Sequence, residues 1–271
     1  MSRLSISKAW DETTHVLAHD GRLLISVALA LVALPQAISD VIAPPATVST
    51  AEPPAWSGVL MIVVAILGLM GQIAMMRLAM GRSSVGEGIA RGARRVGSAF
   101  AALFLLALAV TVLLAPLMFA IAGPAGIESL DTIQPTPSAA VGMLLLIIAC
   151  VFAAPKFQLI MPVAAGEDGG PIHLIKRAWL LSNGVYWKLL GFLALILLVA
   201  VIAVLFGGQV MVGLVVKALF GNVEPLSLGA LVGALLSGLV GAAFSVFASA
   251  MLARIYVQLA AAPASVPNSG T

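Results

Sequence analysis

Six long apolar runs, grouped in pairs behind three short basic stretches, leave this chain few ways to fold. The runs cover 23–42, 59–80, 100–122, 141–163, 189–206 (extensible to 216) and 228–253. Each is close to the ~20 residues that a helix rising about 1.5 Å per residue needs to cross the hydrocarbon core of a bilayer. The basic stretches, 1–22, 81–97 and 167–188, each precede two runs. A pair of spans returns the chain to the side it left, so all three stretches lie on one face. The sequence therefore predicts an all-α integral membrane protein. It has six transmembrane helices and three interfacial amphipathic helices, in three repeated amphipathic-helix-plus-hairpin units.

The charge content fits only such a setting. Of 271 residues, 61% are apolar and 9% charged, whereas a soluble chain needs about 25% charged residues to face water. No interval between the runs is long enough to build a core of its own, the longest being 164–188. The reading is one membrane domain over 1–260, with pseudo-repeats 1–80, 81–163 and 164–260, followed by a disordered cytoplasmic tail over 261–271. The pI of 9.4 does not point to nucleic acid, because the basic residues flank spans, where anionic lipid headgroups are the nearer partner. The single cysteine, Cys150, lies inside the fourth run and rules out an intramolecular disulfide. The flank before the first run mixes Asp11, Glu12 and Asp20 with Arg3, Lys8 and Arg22, and Pro35-Gln36-Ala37 is a poor cleavage site. That predicts an uncleaved anchor rather than a signal peptide.

Orientation follows from the cations. Twelve of the 14 Lys and Arg residues fall on one side: Arg3, Lys8, Arg22, Arg77, Arg82, Arg91, Arg94, Arg95, Lys176, Arg177, Lys188 and Arg254. The opposite loops, 43–56, 123–139 and 221–227, carry none and hold Glu52, Glu128, Asp131 and Glu224. The positive-inside rule then places both termini in the cytoplasm.

Each basic stretch reads as a helix lying in the interface. In the first, Ile6, Trp10, Thr13 and Leu17 share a face. In the second, Ser84-Val85-Gly86-Glu87 fits a capping box, and Val85, Ile89 and Val96 line the side opposite Arg91, Arg94 and Arg95, although five glycines weaken the helix. In the third, Pro171 suits a first helical position, and Ile172, Ile175 and Trp179 form the apolar face. Asn183-Gly184 ends that helix, and Tyr186 and Trp187 sit at headgroup level before the fifth span. The expected lipid or partner rim is Arg91, Arg94, Arg95, Lys176, Arg177, Trp179, Trp187 and Lys188.

The text Pro162-Val163…Gly166-Glu167…Gly170-Pro171-Ile172…Lys176-Arg177-Ala178-Trp179…Leu181-Ser182-Asn183-Gly184…Trp187-Lys188-Leu189-Leu190-Gly191 resembles the signature of a bacterial family. That family comprises the membrane domain fused to some glycerophosphoryl diester phosphodiesterases and uncharacterised stand-alone inner-membrane relatives. The similar part covers roughly the second half of the chain, and Lys8-Ala9-Trp10 echoes Arg177-Ala178-Trp179. The resemblance implies a multi-span helical domain of the bacterial inner membrane. It does not imply phosphodiesterase activity, which belongs to a separate barrel domain for which this chain has no room.

Nothing in the text assembles a catalytic centre, and no enzyme activity, cofactor or metal is expected. His15 and His19 have helical metal-pair spacing but only Asp20 beside them, and Glu167-Asp168-Gly169-Gly170 lacks calcium-loop spacing. Its two acids instead suit a cap and counter-charge for the helix beginning near Pro171. A translocator would need polar groups near mid-membrane. The candidates are Lys156 with Gln158, then Asp40, Gln72, and an interruption of the fifth span at Gly207-Gly208-Gln209. In the sixth run Gly229, Gly233, Ser237, Gly241, Ser245 and Ser249 recur every four residues, with Ala230, Ala234, Gly238 and Ala242 alongside. Such a row predicts a packing groove, either within the chain or as the seam of a homo-oligomer or membrane-protein partner. The function this text points to is a non-enzymatic inner-membrane scaffold or accessory protein that engages lipid or a membrane partner through its basic cytoplasmic rim. A small-solute or lipid translocator is the alternative.

Overall fold

A computed structural model of the chain describes residues 4–43, 56–81, 84–128, 137–221 and 224–261. Arg3, Arg82, Glu52, Asp131 and the tail from 262 lie outside them, as does the Gln209 side chain. Among the described residues every regular element is a helix. We number them α1 (Ile6–Ile42), α2 (Ser57–Ala79), α3 (Val85–Glu128), α4 (Pro137–Phe157), α5 (Ile160–Gly166), α6 (Pro171–Ser182), α7 (Tyr186–Phe220) and α8 (Leu228–Ala261). Six segments are long and apolar enough to cross a membrane: α1, α2, α3, the α4–α5 unit, α7 and α8.

The spans close into a ring. α1 packs on α2, α2 on α3, α3 on α4, α4 on α7, α7 on α8, and α8 returns to α1. Short α5 sits inside one end of the ring, against α2, α3 and α8. Its Leu159 flank and its Ile160, Val163, Ala164 and Ala165 are fully buried. The core is made of such residues together with Leu24, Ile73, Met75, Leu174, Leu189, Phe192, Met251 and Ile255.

Two of the three basic stretches are not separate helices. The first is the opening of α1, which runs unbroken for 37 residues, and the second is the opening of α3. Only the third folds as a free-standing helix, α6, because Gly170-Pro171 can start a helix and Gly184, at φ +83°, turns the chain before α7. The first two stretches have no such stop signal, and helical hydrogen bonding simply propagates into the span. The capping box does form: Ser84 N–H donates to Glu87 Oε2 at 3.0 Å and Glu87 N–H to Ser84 Oγ at 3.4 Å.

Two irregularities have local causes. Within α1, residues Leu29–Ala33 form a wider π turn directly before Pro35. Proline lacks the N–H and crowds the carbonyl four residues back, and a widened turn relieves both problems. The fourth span, in contrast, breaks after Pro155, at Gln158-Leu159, and resumes as α5. The fifth span is not interrupted at Gly207-Gly208; it stays helical with a wide-wound segment over Val201–Met211. Gly207 and Gly208 there lie against Val240 of α8.

Glycine closes the tightest crossing. A Cβ on Gly92 would lie 2.5 Å from the Met70 carbonyl oxygen, and one on Gly88 would lie 3.3 Å from that of Ala74. The glycines that weaken α3 as an isolated helix are thus what lets it touch α2 backbone to backbone, as small residues do in lipid.

Candidate functional site

At the end of the bundle where the described chain begins and ends, two carboxylates gather three guanidinium groups. α5 terminates at Gly166, which has no space for a side chain because the Tyr256 ring would be 2.6 Å from a Cβ there. Glu167 then takes an extended conformation and opens the link to α6. Its carboxylate accepts both 2.8 and 3.1 Å bonds from Arg177 Nε, and a 3.0 Å bond from the Tyr256 hydroxyl on α8. Asp168 pairs with Arg91 at 2.9 Å and with Arg95 of α3, while Arg95 Nη1 also donates to the Gly169 carbonyl at 2.9 Å. The loop therefore ties α3, α6 and α8 together.

This corrects the role read for Glu167 and Asp168. Neither caps α6, whose N-cap is Gly170 with no side-chain bond. The carboxylates are spent on arginines instead, because an arginine held against a protein wall needs a counter-charge more than an exposed helix start needs a cap. The side chains of Arg91 and Arg95 are only 15% and 17% exposed. Among the described residues no group of three His, Cys, Asp or Glu side chains is placed to hold a metal ion.

The rim residues divide in two. Arg91, Arg95 and Arg177 are engaged in this clasp. Lys188 donates to the Leu4 carbonyl at 2.7 Å, where Ser5 N–H also meets Gln258 Oε1 at 3.2 Å, so both contacts pin the start of α1. Arg94 and Lys176 are exposed and make no ion pair among the described residues, and Trp187 and Trp179 are also exposed. α6 has two apolar strips. Leu174, Ala178 and Ser182 pack inward, while Ile172, Trp179 and Leu180 point outward with Lys176 between them. Of the face read from Ile172, Ile175 and Trp179, Ile175 packs on the core while Ile172 and Trp179 lie on the outer side.

Lys156 does not sit alone in the membrane. Its ammonium donates to Asn183 Oδ1 at 2.7 Å and lies 4.7 Å from the centre of the Trp179 ring and 5.7 Å from that of Tyr186. The stem has carried the charge to the α6–α7 turn, the snorkelling that a long cationic chain allows. Gln158, at the break of the fourth span, donates to the Leu189 carbonyl of α7 at 3.3 Å and ties the break to that helix.

The sixth-span rows exchange roles. The buried row is Ala230, Ala234, Gly238, Ala242 and Val246; Ala230 packs with Val212 and Val216 of α7, and a Cβ on Gly238 would lie 3.5 Å from the Ala33 carbonyl oxygen of α1. Of the first row, Gly229 and Ser249 are buried, Gly233 faces Val216 of α7, and a Cβ on Gly241 would meet nothing within 4 Å. Ser237 bonds back to its own helix at Gly233, and the Ser245 hydroxyl is buried without a partner.

A feature that no motif announced lies between α1, α2 and α3. It is a cavity of about 700 Å³, lined by Gln36, Ser39 and Asp40 of α1, Gln72 of α2, and apolar side chains including Phe100 and Phe104. Asp40 and Gln72 stand 32 residues apart in sequence, so only the packing of α1 on α2 brings them to one space.

Fold and site together define a multi-span helical membrane protein with a salt-bridged basic end. Compared with family models, with characterised proteins and with solved structures, the chain matches none.

Proposed function

We propose that this protein is a non-enzymatic scaffold or accessory protein of the bacterial inner membrane, with both termini cytoplasmic, that engages anionic lipid or a membrane partner through its basic end. The observation that carries the reading is the outward strip of α6. Ile172, Trp179 and Leu180 are 62%, 46% and 62% exposed around Lys176, and a helix with that face seats itself at a headgroup boundary. The exposed cations Arg94 and Lys176 add the charge attraction. The resemblance of the text from Pro162 to Gly191 to the membrane domain of some glycerophosphoryl diester phosphodiesterases supports the bacterial inner-membrane setting of this reading. The engagement of Lys156 by Asn183 and Trp179 favours this reading over a translocation path.

The test is lipid preference in nanodiscs. Near an anionic surface each basic residue contributes about 1 kcal/mol, weakened by salt. Arg94→Gln with Lys176→Gln should therefore cut enrichment of anionic lipid around the protein by roughly tenfold or more. Equal enrichment around the variant and the parent, with both folded, would contradict the proposal.

A further inference from the structure

Lys156 carries a charge for which its surroundings hold no counter-charge. It stands where α4, the α6–α7 turn and α7 meet, and neither those helices, nor α5 and α6, nor the turn at 183–185 contains an Asp or Glu. The acids closest in sequence, Glu167 and Asp168, are held by Arg177, Arg91 and Arg95. An ammonium has three protons to donate, and the one printed bond goes to a neutral acceptor, Asn183 Oδ1, at 2.7 Å. The Trp179 and Tyr186 ring faces attract the charge without neutralising it. Both rings are themselves held in place. Trp179 rests on Phe157, with ring centroids 5.8 Å apart, and the Tyr186 hydroxyl donates to the Phe152 carbonyl at 2.7 Å. A cation fixed in this way at the edge of an apolar surface is costly until an anionic oxygen joins it.

The surface around Lys156 says what kind of molecule could bring that oxygen. Leu145, Ile148 and Phe152 precede it along one face of α4, spaced by three and four residues, and all three are exposed. Trp179 is exposed on the other side of the ammonium. An occupant therefore needs an anionic oxygen at one end and hydrocarbon at the other. We propose that this corner holds one phospholipid, its phosphate on the Lys156 ammonium and a chain along Phe152, Ile148 and Leu145. The ammonium–phosphate contact is a charge-assisted hydrogen bond. It recognises the phosphate that every phospholipid carries, not the net charge of the headgroup. The inference rests on the reading of this end as lying at headgroup level, and it adds one fixed lipid to the general attraction exerted by Arg94 and Lys176.

Native mass spectrometry of the full chain released from nanodiscs tests this. The bilayer contains equal parts phosphatidylcholine and a galactosyl diacylglycerol with the same chains. Neither lipid has a net charge and only the first has a phosphate. The parent should retain one phosphatidylcholine per chain in preference to the galactolipid. Lys156→Gln keeps a polar group for Asn183 but loses the charge, and it should lower that retention at least tenfold with the melting temperature unchanged. Lys156→Arg should preserve it, and so should Arg94→Gln with Lys176→Gln. Equal retention of the two lipids by the parent would overturn the assignment of a phosphate. Undiminished retention by folded Lys156→Gln, or its loss in the Arg94 and Lys176 double variant, would overturn the site at Lys156. The anionic-lipid enrichment that tests the basic end is read in a different bilayer with different variants, so either reading can fail without the other.

Discussion

Replacing Gly92 by alanine tests the crossing on which the fold depends. The new methyl would stand 2.5 Å from the Met70 carbonyl oxygen and 3.0 Å from Met70 Cγ. The oxygen belongs to the backbone of α2 and cannot rotate away, so the helices must part by about 1 Å. A radial gap of 0.5–1 Å forfeits roughly a quarter to a half of each van der Waals contact along the seam. Overpacking of this kind costs about 1–3 kcal/mol. Alanine also favours the helix by about 1 kcal/mol over glycine, which would mask part of the loss. Gly97→Ala on the same helix is the control, since a Cβ there meets nothing within 4 Å and it carries the same propensity gain. Reversible unfolding in bicelles should place Gly92→Ala about 1–3 kcal/mol below Gly97→Ala. Equal stabilities, or a more stable Gly92→Ala, would refute the backbone contact between α2 and α3.

The two rows of the sixth span separate in the same assay. Gly238→Leu should cost about 2 kcal/mol or more by forcing α8 off Ala33, whereas Gly241→Leu should leave monomer stability unchanged because its side faces open space. If the row through Gly241 is the seam of a homo-oligomer, Gly241→Leu should instead remove a crosslinked dimer from native membranes. Asp168→Asn strands Arg91 and Arg95 without their counter-charge. It should lower stability by about 1 kcal/mol, a modest figure because Asp168 is itself 77% exposed, and high salt should shrink the difference between variant and parent.

Spans, helix caps and stops were legible because they depend on local chemistry. Run length alone marks the six spans, Ser84 and Glu87 alone make the capping box, and Pro171 and Asn183-Gly184 bound α6. The choice of face was legible only in part. Val85 and Ile89 of α3 pack on the core as read, and so do Ile6, Thr13 and Leu17 of α1, but Trp10 is 47% exposed and meets Phe247 edge-on while the small Ala9 is fully buried. In α6 Ile175 packs on the core, yet the fully buried residues are Leu174, Ala178 and Ser182, and in α8 the buried residues include the alanine row. The shift has the same sense each time. Periodicity arguments taken from water-soluble proteins turn the bulkiest apolar side chains inward, whereas lipid accepts them outside and close helix contact favours small residues within. Gly88 and Gly92 carried that signal in plain spacing, yet reading them by helix propensity alone hid it. Pairings across the ring, such as Asp168 with Arg91 and Arg95 or Asp40 with Gln72 in one cavity, depend on helix packing that no spacing encodes. The clasp at Glu167 had one sequence clue, two adjacent acids on a side crowded with arginine.

The claim on which the rest depends is that three hairpins return the chain to one side, leaving the basic end in the cytoplasm. Impermeant thiol labelling in intact cells measures this directly, with Cys150 first changed to alanine because it is exposed. Ser49→Cys and Ser138→Cys should react from outside, and Ser84→Cys should react only after the cells are opened. Labelling of Ser84→Cys in intact cells, or protection of Ser49→Cys and Ser138→Cys, would contradict it.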